Sequence, residues 1–243
     1  GAADQACDES VADICEVVAN GGDLLPALRR TVERFSAIPV DRSEERPIIG
    51  VVGEFYVRAS AYSNQDLFRQ IEALGGEVWT APVFEWFLYR NFRRDMRARL
   101  EGDWALILKN KLVNRVMKHD EAQMARELET LLRNAHEPAT EEILAHARPY
   151  IHHSFEGEAI MTVGKAIDFA RKGLAGIIAV MPFTCMPGTV ANAVLKKVRL
   201  DEGGIPFLNM VYDGLEQSTA LTRLEAFVHQ ARQYAARTRA GAH

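Results

Sequence analysis

Short apolar runs alternate with stretches of helical periodicity over much of this chain, and that alternation most constrains its fold. Ile48-Ile49-Gly50-Val51-Val52-Gly53 is a continuous apolar run between Pro47 and Glu54, the pattern of a buried strand. The stretch Glu54 to Ser63 reads as a loop. A helix with Leu67, Ile71 and Leu74 inward then ends at Gly75-Gly76, before a second short strand from Glu77 to Ala81. After Pro149 the order resumes: helix Ala159 to Arg171, strand Gly176 to Pro182, helix Thr189 to Arg199, strand Ile205 to Tyr212, helix Ser218 to Ala236. Strands separated by single helices pair in parallel through right-handed crossovers. The expected fold is therefore α/β, a parallel-sheet domain of flavodoxin-like or Rossmann-like type.

Two segments break the alternation. Val11 to Phe35 carries apolar residues at helical spacing, interrupted at Asn20-Gly21-Gly22, with Asp23 placed to cap a second helix from Leu24. Val83 to about Ala147 is almost wholly helical in pattern and reads as an insertion or cap over the α/β core. The predicted organisation is N-terminal helices and a connector over 1–45, the core over 46–82 and 150–243, and the helical insertion over 83–149.

Composition narrows the function classes. A formal net charge of -4 gives no general attraction to nucleic acid, although Arg93, Arg94, Arg97 and Arg99 cluster locally. No apolar run reaches the roughly 18 residues of a membrane span, and no basic-then-apolar leader opens the chain. Cys7, Cys15 and Cys185 form neither a paired framework nor a CxxC motif, so a reducing cytoplasm is the expected compartment. The chain opens at Gly1-Ala2 directly in a helical stretch, as a processed or excised piece of a longer polypeptide would.

In parallel sheets, ligands bind outside the carboxyl ends of strands. Three loops qualify: Gly53 to Arg58, Pro182 to Thr189, and Asp213-Gly214-Leu215-Glu216-Gln217-Ser218. In the middle one, Pro182 and Pro187 stiffen the backbone around Cys185, and Gly188 permits close approach of a ligand. A thiol beside a helix N-terminus is favoured as thiolate, and so as metal ligand, redox group or nucleophile; the alternative is an inert cysteine filling apolar space. Glu54 is a general base, an acceptor for a substrate hydroxyl, or a cap for loop amides. Asp213 raises the same question, since Asp-Gly after a strand is often a turn.

His152-His153 with Glu156 and Glu158 resembles a metal cluster in composition, but adjacent side chains point apart in regular structure. Trp79, Trp86, Phe87 and Tyr89 read as packing residues. There is no GxGxxG, no GxxxxGK[ST] and no GxSxG.

Taken in order, several motifs resemble the 2-hydroxyacyl-CoA dehydratase and CoA-enzyme activase superfamily, in particular activase-related proteins with a Pro-Phe-x-Cys-Met-Pro-Gly-Thr segment. They are Pro47 to Arg58, Gly157-Glu158-Ala159 with Gly164-Lys165, Pro182 to Thr189, Ile205-Pro206-Phe207-Leu208, Tyr212-Asp213-Gly214, and Thr222 to Phe227. The resemblance spans about Arg46 to Arg232 and is weakest in the helical middle. It implies an iron-sulfur protein of low-potential electron transfer, in which an ATP-hydrolysing activator passes an electron to a cysteine-bound cluster that reduces an acyl-CoA. Cys185 is the implied cluster ligand, with Gly188 and Thr189 at the cofactor and Glu54 and Asp213 as catalytic residues lining the pocket. A four-iron cluster takes about three or four protein ligands, and only Cys185 lies in a family motif, so the remainder would come from a missing region or a partner subunit. The competing readings are a cluster-free docking module for an activator ATPase and a thiol enzyme using Cys185 as nucleophile.

Overall fold

The computed structural model describes residues 1–41, 43–133, 137–213 and 219–240. Along the chain lie α1 (Ala2–Ala19), α2 (Leu24–Ser36), β1 (Ile48–Gly53), α3 (Phe55–Ala59), α4 (Leu67–Ala73), β2 (Glu77–Thr80) and α5 (Phe84–Glu101). These are followed by α6 (Trp104–Leu128), α7 (Thr140–Ala147), α8 (Glu158–Arg171), β3 (Gly176–Pro182), α9 (Met186–Asp201), β4 (Phe207–Tyr212) and α10 (Ala220–Ala240). The chain divides into two compact units, one of 1–44 with 88–138 and one of 45–87 with 139–243.

The first unit is helical. Asp23 caps α2 by accepting from the Leu25 N–H at 3.0 Å, as its position before Leu24 predicts. Asp13 of α1 accepts two bonds from Arg30 of α2, at 2.8 and 2.5 Å, and one from Arg34 at 3.2 Å. The Arg30 hydrogen bond is the main reason its carboxyl falls to about 2. Arg29 ties α2 to α6 through a two-pronged pair with Glu127, at 2.9 and 2.7 Å.

The second unit holds a four-stranded, all-parallel sheet of order β2-β1-β3-β4, flanked by helices, which is a flavodoxin-like or Rossmann-like α/β fold. Strand alternation divides its residues between the faces. Ile49 and Val51 of β1 and Ile178 and Val180 of β3 join a core with Leu67 and Ile71 of α4 and Phe227 and Val228 of α10. Gly50 points the other way, where a Cβ would stand 2.4 Å from the Phe169 ring of α8, so only a hydrogen lets α8 lie this close. Gly164 does the same between helices: a Cβ there would meet the Ile143 carbonyl oxygen of α7 at 2.2 Å.

Some boundaries differ from the sequence reading. The stretch read as a loop from Glu54 to Ser63 contains the short helix α3. α9 begins at Met186, ahead of Thr189, because Cys185 serves as its N-cap and Pro187 is tolerated in a first turn, where its missing N–H has no partner to lose. β4 begins at Phe207, after Pro206, and α10 at Ala220. Among the described residues, no helix is long and apolar enough to cross a membrane.

Candidate functional site

Because the order is β2-β1-β3-β4, the chain leaves β1 towards one side of the sheet and returns to build on the other. The switch point therefore lies between the carboxyl ends of β1 and β3, where ligands of open parallel sheets bind. Backbone bonds fix this edge: Glu54 N–H donates to the Val180 carbonyl at 2.9 Å, and Phe183 N–H to the Tyr212 carbonyl at 2.8 Å. Glu54, Cys185 and Asp213 thus follow the ends of three adjacent strands. Asp213 is exposed just beyond β4, and the rest of its predicted loop, Gly214 to Ser218, lies outside the described residues.

Glu54 is the N-cap of α3, and its two carboxylate oxygens accept from the Tyr56 N–H at 3.2 Å and the Val57 N–H at 2.7 Å. Of its three sequence readings, the cap is the role it performs in this structure. Cys185 is partly exposed, and its Sγ accepts from the Gly188 N–H at 3.4 Å. It therefore lies at a helix N-terminus and is not fully buried. Thr189 is tied back to the same residue, its N–H and hydroxyl donating to the Cys185 carbonyl at 3.0 and 2.8 Å. At Gly188 a Cβ would stand 2.5 Å from Met181 Sδ and 3.3 Å from Cys185 Sγ. The glycine thus lets α9 start tight against β3. Thr184, just before the cap, has φ of 64°, a conformation that costs a non-glycine residue about 1–2 kcal/mol. Its hydroxyl bonds to the Phe183 carbonyl at 2.6 Å.

Large apolar side chains surround this thiol in sequence and are left exposed: Phe183 at 64% and Met186 at 62%, with Tyr56 of α3 at 61%. No group of three or more His, Cys, Asp or Glu side chains converges as a metal site among the described residues. Cys7 and Cys15 lie exposed on α1, in the first unit. The chain's described residues therefore offer a single cysteine at the switch point, which does not by itself make up a cluster's ligand set. His152 and His153 do not point apart as expected. Their ring centroids are 4.0 Å apart, because they sit in the turn before α8 and not in a regular element.

A second feature of the edge was not anticipated. A cavity of about 30 Å³ opens beside the end of β1, between α3, the head of α5 and the N-terminal half of α8. Lys165 of α8, 1% exposed, lines it and pairs with Glu85 of α5 at 2.5 Å. Asp168 lies 3.5 Å from the same ammonium and 2.9 Å from that of Lys172. Arg58 of α3, 7% exposed, donates from Nη1 to the Gly53 carbonyl at 3.2 Å. Its Nε is buried with no hydrogen-bond partner among the described residues. Burial is the first cause that lowers the Arg58 pKa, opposed by the charges of Glu85, Glu158 and Glu54. Trp86, read from sequence as packing, forms part of the wall and stacks on Phe55 with ring centroids 6.1 Å apart.

Glu158, the first residue of α8, accepts from the Phe55 N–H at 3.3 Å. Burial raises its pKa and the charge of Glu54 adds to the rise, while the Phe55 N–H and Arg58 oppose it. A carboxyl raised in the folded state loses stability above that pKa and regains it as pH falls through it, since the folded form then binds more protons. Glu158→Gln, which keeps the acceptor for Phe55, is expected to raise the melting temperature at neutral pH. The gain should shrink on acidification through the range where Glu158 protonates; a constant gain at all pH values would contradict this account.

No protein-family model, curated protein or solved structure matches the chain.

Proposed function

We propose that this chain is a domain of an iron-sulfur, low-potential electron-transfer protein related to the 2-hydroxyacyl-CoA dehydratases and their activators, contributing Cys185 as one thiolate ligand. The observation that carries this reading is the setting of Cys185: a partly exposed N-cap sulfur at the β1/β3 switch point, accepting from the Gly188 N–H. Backbone N–H groups and the positive end of a 16-residue helix stabilise negative charge on a thiolate and on the cluster it holds. When bound, such a cluster would supply one-electron chemistry at low potential.

The exposed Phe183, Met186 and Tyr56 suit a surface covered by another protein, such as an ATP-dependent activator or a partner subunit bringing the remaining thiolates. An acyl-CoA would be the substrate, with Asp213 at the same edge and Glu54 holding α3. The same exposed apolar side chains are also what a cluster-free docking module for an activator ATPase would present.

Anaerobic reconstitution with iron, sulfide and an excess of a small thiol separates the two, because the free thiol fills the coordination positions this chain leaves open. The wild-type chain is expected to retain iron and acid-labile sulfide with a visible thiolate-to-iron absorption. Cys185→Ser should lose it, and Cys7→Ser/Cys15→Ser should keep it. Iron retention that survives Cys185→Ser, or no retention at all, would overturn the ligand assignment and leave the docking module.

A further inference from the structure

Arg58 poses a problem that its own contacts do not solve. Its guanidinium is almost completely buried, donates to one backbone carbonyl, and leaves Nε without an acceptor among the described residues at a cavity wall. A buried charged donor left unsatisfied costs more than a neutral one, so such groups are usually matched by an acceptor. Each neighbouring carboxylate already has a partner of its own. Glu54 caps α3, Glu85 pairs with Lys165, and Glu158 accepts from Phe55.

We infer that this cavity is a binding site for a carboxylate group, anchored on Arg58 and closed on one side by Glu158 and Thr162. Size and chemistry agree on that class. One water needs about 10–15 Å³ of such space, so about 30 Å³ accommodates two oxygen-sized atoms, as a carboxylate presents. An arginine edge is the donor that carboxylates pair with best. Phe55 and Trp86, stacked at the wall, and Met161 give a short apolar tail a surface to lie on. Thr162 adds a hydroxyl from the lining of α8.

Charge requires that binding bring in a proton. With every acid ionised, Arg58 already sits in the field of Glu54, Glu85 and Glu158, and Lys165 is shared between Glu85 and Asp168. A ligand carboxylate would add a further negative charge. Protonation of Glu158 offsets it and converts that side chain from an acceptor to a donor facing the new anion. The ligand binds as the anion, Glu158 takes up one proton from solvent, and the net charge of the cavity is unchanged. The groups acting on Glu158 in this exchange are Glu54 and Arg58 from α3, with the Glu85–Lys165 pair also in the wall.

The site does not depend on the iron-sulfur reading, and Cys185→Ser is expected to bind as the wild type does. The test is titration of the whole chain with propionate, and separately with propionamide, followed by the NMR signals of the Met161 methyl and the Trp86 indole. Propionate is expected to shift both signals, with affinity rising about tenfold for each unit of pH lowered while Glu158 is ionised in the free protein. Propionamide should bind weakly at every pH. Glu158→Gln should bind propionate with no such pH dependence over the same range, and Arg58→Lys, which keeps the charge but loses the planar fork, should weaken it by about tenfold or more. If Arg58→Lys fails to fold, the flattened pH profile of Glu158→Gln still decides the matter. No propionate-induced shift in either the wild type or Glu158→Gln, or equal binding of propionamide, would overturn the assignment and make the cavity a site for structural water.

Discussion

Gly53→Ala is expected to be the most damaging single-methyl change in the α/β unit, removing on the order of 4 kcal/mol or more and with it most soluble, folded protein. Two independent costs fall on the same atom. Gly53 has φ of 111°, a conformation rarely open to residues with a Cβ. A Cβ there would also stand 2.1 Å from the Val180 carbonyl oxygen and 2.7 Å from its nitrogen, backbone atoms of the adjacent strand that cannot swing aside. That carbonyl accepts the Glu54 N–H, so relief of the clash would unpair the strands where the candidate site begins. Gly157 supplies the control. Its φ of 109° is nearly the same, but a Cβ there would meet nothing within 4 Å. Gly157→Ala should therefore cost only the backbone strain, about 1–3 kcal/mol. Urea denaturation of both variants measures the difference; similar midpoints would show that the close approach to Val180 carries no energy.

The contrast between these glycines illustrates where sequence reading stops. That a strand ends at Gly53 is visible from the apolar run before it. That Gly53 must be glycine is not, because the obstacle belongs to Val180, on a strand far along the chain. Strand positions were readable for the same local reason, as Ile48–Gly53 and Gly176–Pro182 both follow their apolar runs residue for residue. The five-residue helix α3 was not, since it is too short to display a period and its start is set by the Glu54 carboxylate. Cys185 was identifiable as a residue at a strand end near a helix, but not as the cap itself, which moves the helix start forward to Met186.

The cavity was hidden for a different reason. Its walls come from α3, α5 and α8, and the Phe55–Glu158 bond joins residues 103 apart in sequence. One local signal was present. Lys165 and Asp168 put two charges into the mostly apolar run Ala159 to Phe169, and charges on a buried helix mark a partnered network. Glu85, the partner of Lys165, cannot be found without the fold.

That network should respond asymmetrically to substitution. Lys165→Met fills similar space without charge, but it removes the ammonium from the buried Glu85, and breaking a buried pair from one side costs about 3–5 kcal/mol. Asp168 is affected less, because Lys172 still holds it at 2.9 Å. Glu85→Met should be milder, about 1–3 kcal/mol, since the Lys165 ammonium keeps Asp168 at 3.5 Å and the Phe169 ring face at 5.2 Å. The double variant removes both charges together, and apolar replacement of a buried pair is often neutral or stabilising. It should therefore recover most of what Lys165→Met loses, giving a coupling of about 3 kcal/mol or more in a double-mutant cycle. Equal single losses that simply add would mean that the Glu85 carboxylate is solvated in the folded chain. The pair would then be a surface ion pair in energy, and the cavity beside it would be wet instead of preorganised.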